Sequence, residues 1–100
     1  MPFKEWTIPG DGITLIVRRN TIGGKVESFA VILVAFVDGS WINITRYDSA
    51  HGIPHRDILG KRKGLLEKEW FFGSSNLEVF EYAICDLQSH AQEYVRFFAN

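Results

Sequence analysis

One hundred residues, 46% of them apolar, 14% aromatic and 23% charged, are enough to close one hydrophobic core, since a chain of this length buries roughly two-thirds of its unfolded surface on folding. A two-domain enzyme and a disordered linker are both excluded. The formal charge of −1 conceals a segregation: Arg46 to Lys63 carries five basic residues against Asp48 and Asp57, a local +3, and Asn76 to Phe98 carries four acids against Arg96, a local −3.

The single cysteine, Cys85, allows neither an internal disulfide nor a zinc framework built on thiolates. That fits a reducing compartment, and the cytoplasm is the expected location. The longest apolar run, Phe29 to Val37, has nine residues, where a spanning helix needs about twenty. No charged n-region leads into an apolar stretch at Met1, so neither targeting nor membrane insertion is expected.

In chain order, Ile13 to Arg19 is short, β-branched and bounded by glycine turns, which predicts a strand. Residues 26–37 follow as a second strand whose unbroken apolar centre suits a central position. Asp38-Gly39 then predicts a two-residue type I′ hairpin, because both positions can take positive φ. Residues 40–48 alternate between faces as a third strand, and residues 55–60 and 65–72 form a second hairpin about the Lys61-Arg62-Lys63-Gly64 turn. Ser75 stands three residues before Glu78, the capping-box spacing. From there Leu77, Phe80, Ile84, Leu87, Ala91, Tyr94 and Phe98 recur at steps of three and four, predicting one long helix over 76–98. The expected class is α+β: an antiparallel sheet of about five strands, with that C-terminal helix packed across one face. The other face lacks an internal cover. Three tryptophans and eight phenylalanines exceed what one helix hides, which points to a homodimer or another protein partner.

The densest polar cluster is Arg46-Tyr47-Asp48-Ser49-Ala50-His51-Gly52-Ile53-Pro54-His55-Arg56-Asp57. Pro54 pushes Ile53 away from helical angles, so His51 and His55 are not the i, i+4 pair of a helical zinc site. Metal-independent RNA cleavage needs a base, an acid and a cation for the phosphate. His51, His55 and Asp57 are the candidate catalytic residues, with Asp57 orienting His55. Arg46, Arg56, Lys61, Arg62 and Lys63 are the candidate phosphate contacts, and Tyr47 and Asp48 are supporting groups. No cofactor and no metal is expected, although His51, His55, Asp57 and Asp48 are a donor set that suits zinc or manganese. The same residues also admit a purely structural reading, with Asp48 in an Asx-turn, His51 capping the loop and Arg56 paired to an aspartate. Asp86, His90 and Glu93 read as a solvated helix face, and Cys85 as an inert thiol.

The string R-Y-D-S-A-H-G, then P-H-R-D, a glycine turn, a strand and a helix carrying Tyr82 to Leu87, resembles a group of small prokaryotic, largely archaeal proteins of uncharacterised role. These are similar to the TumE-like toxins of type II toxin–antitoxin modules. The resemblance covers roughly residues 40–98 and implies a toxin acting on RNA, held by a small DNA-binding antitoxin. It places Arg46, Tyr47, Asp48, His51, His55, Arg56 and Asp57 along a shared polar edge. The toxin pattern has adjacent histidines where this chain has His55-Arg56-Asp57, a departure that suits a non-catalytic interaction module.

Overall fold

Strand-forming stretches separated by short glycine-rich turns leave no room for crossovers, and the chain folds as a meander. The computed structural model describes residues 3–50, 52–62 and 64–99. Strands β1 (Phe3–Pro9), β2 (Ile13–Ile22), β3 (Lys25–Val37), β4 (Ser40–Asp48), β5 (His55–Gly60) and β6 (Gly64–Trp70) lie side by side in sequence order, and helices α1 (Asn76–Ser89) and α2 (Ala91–Ala99) follow. This corrects the expected architecture. The molecule is mostly sheet, six antiparallel strands with two short helices, rather than about five strands with one long C-terminal helix.

Both differences have local causes. β1 hides its alternation because only Trp6 and Ile8 turn toward the core, while Lys4 and Pro9 dilute the pattern. An edge strand tolerates both, proline included, because one of its sides needs no ladder partner. The helical stripe breaks at His90, whose backbone (φ −121°, ψ 20°) leaves the helix although neither glycine nor proline is present. The buried residues of α1 are Val79, Phe80, Ala83 and Leu87, and those of α2 are Ala91 and Phe98.

Local signals act where they stand. Asp38 and Gly39 take φ of 51° and 85° in the β3–β4 turn, a conformation that glycine and aspartate tolerate better than most residues. Ser75 Oγ accepts from the Glu78 backbone at 3.1 Å, and Glu78 Oε1 accepts from the Ser75 backbone at 2.9 Å. Asn76 then donates its side-chain amide to the carbonyls of Val26 and Glu27, tying the start of α1 to the start of β3.

One face of the sheet carries the core. Leu15, Val17, Phe29, Val31, Leu33 and Tyr47 pack against Phe80, Ala83, Leu87 and Phe98. Among the described residues no helix covers the opposite face, and the shortest overall dimension, 19 Å, leaves space for one sheet and one helical layer at about 10 Å each.

Candidate functional site

Alternation along β4, β5 and β6 sorts the polar cluster onto the two faces. Arg46 is paired in register with Asp57, Asp48 with His55, His55 with Trp70, and Asp57 with Lys68. These six residues share the face away from the helices. Arg46 Nε lies 2.9 Å from Asp48 Oδ2 and its Nη2 lies 3.2 Å from Asp57 Oδ2. Lys68 Nζ lies 3.0 Å from Asp57 Oδ1. His55 turns Nε2 toward Asp48 Oδ1 at 3.1 Å and Asp57 Oδ2 at 3.8 Å, with Nδ1 facing the Ile53 carbonyl at 3.3 Å. The Trp70 ring lies against the imidazole, centroids 4.8 Å apart, and His55 is only 2% exposed. Asp48 also accepts from the Ala50 backbone at 3.1 Å, the Asx-turn that its position suggests.

The remaining candidates lie elsewhere. Tyr47 and Arg56 are one register pair on the helical side, where Arg56 bonds Glu69 at 2.8 Å and the Tyr94 hydroxyl at 2.8 Å. Lys61 reaches Asp38 at 3.2 Å. Lys61 and Arg62 follow the end of β5 opposite to His55, about 17 Å along a strand that rises about 3.3 Å per residue. His51 and Lys63 lie outside the described residues. The structure therefore gathers Arg46, Asp48, His55 and Asp57, and it separates Tyr47, Arg56, Lys61 and Arg62 from them.

Two features had weak or no sequence signals. Lys68 and Trp70 join the His55 cluster because β6 alternates in step with β5, which is legible only once the register is known. On the helical side, the partly buried Asp86 accepts hydrogen bonds from Tyr47 at 2.6 Å and from Tyr94, and its other oxygen lies 3.0 Å from His90 Nδ1. Tyrosines 39 and 8 positions away give no local hint of this. Burial, reinforced by the bond to Asp86, pushes the Tyr94 hydroxyl up to about 12, and the same causes raise Tyr47 further. Burial opposes the charge on Arg56, yet Tyr94, Tyr47 and Glu69 outweigh it and raise its pKa. Beside this network a cleft of about 390 Å³ opens between β5–β6 and the helices, lined by Ile58, Glu67, His90, Glu93 and Phe97. A groove of about 300 Å³ on the other face runs between Arg18 and Arg46 over Ser28, Ala30 and Ile32.

Residues 2–100 match the family described as Domain of unknown function (DUF7718). The chain belongs to the DUF7718 family. No curated protein and no solved structure matches it. Among the described residues of this DUF7718 domain, no helix is long and apolar enough to cross a membrane. Its chemistry is concentrated where charged side chains converge on the uncovered face, with Asp48, His55 and Asp57 presenting donor atoms within 4.8 Å of one another.

Proposed function

We propose that this DUF7718 domain is a protein-interaction module that dimerises through the β6 edge. The observation that carries the reading is an open sheet edge with apolar side chains in solvent: Leu65, Leu66 and Trp70 are exposed on β6, and Phe72 just beyond is 72% exposed. Soluble proteins normally blunt such an edge, because its free N–H and C=O groups template pairing with another strand. The charge pattern favours a second copy. A two-fold axis normal to the sheet sets residues of one face opposite each other, and centred on Leu66 it pairs Leu66 with the other copy's Leu66 and Leu65 with its Glu67, with no like charges opposite. Centring it on Glu67 or on Lys68 sets like charges opposite one another, which is unfavourable.

Sedimentation velocity across the micromolar range tests the proposal. A concentration-dependent dimer is expected, with Leu66→Lys and Leu66→Glu driven to monomer while their circular dichroism stays that of the parent. A protein that is monomeric throughout, or variants that dimerise like the parent, would refute it.

A second reading, a toxin-like endoribonuclease controlled by an antitoxin, draws support from Arg46 and His55 sharing one face with Asp57 as an orienting carboxylate. Its difficulty is steric, since a ring 2% exposed beneath Trp70 must be uncovered before it meets RNA. Incubating purified protein with structured and single-stranded RNA tests this directly. Intact RNA, or cleavage undiminished by His55→Ala, removes the reading.

A further inference from the structure

We propose that Asp48, His55 and Asp57 form a binding site for one divalent transition-metal ion of the zinc or manganese class. The three residues come from paired strands, not from a loop: Asp48 and His55 are direct register partners, and Asp57 is two residues along the same face of β5. All three are buried, and their donor atoms lie within 4.8 Å of one another. His55 Nε2 stands 3.1 Å from Asp48 Oδ1 and 3.8 Å from Asp57 Oδ2. Donor atoms held by one ion at about 2.0–2.2 Å stand roughly 3–3.6 Å from each other, so only small side-chain adjustments are needed.

The hydrogen bonds around the three residues point the same way. The Ile53 carbonyl lies 3.3 Å from Nδ1 and can accept its proton, and in that tautomer the lone pair of Nε2 points toward the carboxylates. A ligating histidine is commonly fixed through its second nitrogen in this manner. Nε2 and Asp48 Oδ1 are then two acceptors at 3.1 Å in a nearly dry setting. A divalent ion held between them would be coordinated by both. The outer carboxylate oxygens are also held: Arg46 grips Asp48 Oδ2, and Lys68 lies beside Asp57 Oδ1. Arg46 further contacts Asp57 Oδ2 at 3.2 Å and has to yield part of that contact. Two neighbouring cations disfavour an ion held by charge alone, such as calcium or magnesium. One imidazole with two carboxylates suits zinc or manganese instead. Three protein donors leave a coordination position open, as in catalytic rather than structural sites.

The proposal is independent of dimerisation, because Leu66→Lys and Leu66→Glu leave all three donors in place. Full-length protein, dialysed against chelator and then exchanged into buffer, is titrated calorimetrically with Zn²⁺ and with Mn²⁺, and Co²⁺ is added separately as an absorption probe. One equivalent is expected to bind, with a rise in melting temperature that grows with metal concentration. Affinity is expected to fall at least tenfold in Asp57→Asn and at least a hundredfold in His55→Gln, while His90→Gln binds as the parent does. Absence of a saturable equivalent, or parental affinity in the Asp57 and His55 variants, overturns the site. Should His55→Gln fail to fold, the Co²⁺ spectrum of the parent decides: visible d–d bands that Asp57→Asn alters support the site, and bands that are absent or unaltered refute it.

Discussion

Asp86 shows how one carboxylate can hold two elements in place. It is nearly buried, yet it accepts from Tyr47 on β4 and Tyr94 on α2, contacts His90 at the helix junction, and lies 3.9 Å from Arg56 on β5. Asp86→Ala removes the acceptor of the Tyr47 and Tyr94 hydroxyls and leaves Arg56 with Glu69 as its acidic partner. A loss of about 3 kcal/mol is expected in urea denaturation. The same network sets an alkaline limit. Because Tyr94 titrates at about 12 when folded and near 10 when unfolded, its contribution is complete below pH 10 and disappears as pH rises toward 12, where only the unfolded chain has released its proton. Tyr47 acts in the same sense. Unfolding free energies measured at about pH 8 and about pH 11 are expected to differ less in Tyr94→Phe than in the parent. Nothing in the local sequence marks Asp86, since its i, i+4 relation to His90 occurs on many solvated helices. The tyrosines arrive through tertiary folding.

At the level of elements, the clearest signals lie where a residue acts on its own backbone. Asp38-Gly39 and the Ser75–Glu78 capping box act within four residues, so the chain reports them directly. Ser75→Ala is expected to cost about 1 kcal/mol in thermal or chemical unfolding, the usual loss for an N-cap that accepts a helix N–H. The helix break at His90 is different in kind. Its ring sits near the Asp86 carbonyl and side chain, and its carbonyl accepts from the Tyr94 backbone as α2 begins. No helix-breaking residue announces this, so a continuous stripe of apolar positions reads through it. β1 escapes for the complementary reason: a half-exposed edge strand buries only Trp6 and Ile8, too short a pattern to separate from a polar leader.

For the molecule as a whole, sheet and helices make a two-layer body of 42 × 26 × 19 Å with both edge strands open. Its radius of gyration, 13.4 Å, is close to the roughly 13 Å typical of a hundred-residue domain. With so little depth, every helical residue that reaches the core counts. Ending the chain after Ser89 removes Ala91, Tyr94 and Phe98 from the core and half of the hydroxyl pair on Asp86. The truncated protein is expected to lose its sharp thermal transition and its near-ultraviolet circular dichroism while it keeps β-type far-ultraviolet signal. A cooperative transition at the parental temperature would contradict this account of α2.

The amino-acid sequence alone determined where the chain turns, which stretches alternate, how α1 begins, and that Asp48, His55 and Asp57 belong to one polar segment, because each of these is written in neighbouring residues. Only the tertiary structure decided the sixth strand, the division of the C-terminal helix, and the placement of Arg46 with His55 while Arg56 turns to the opposite face. Those outcomes depend on register and on burial against distant partners, and a single shift of one residue in pairing exchanges the two faces of a strand.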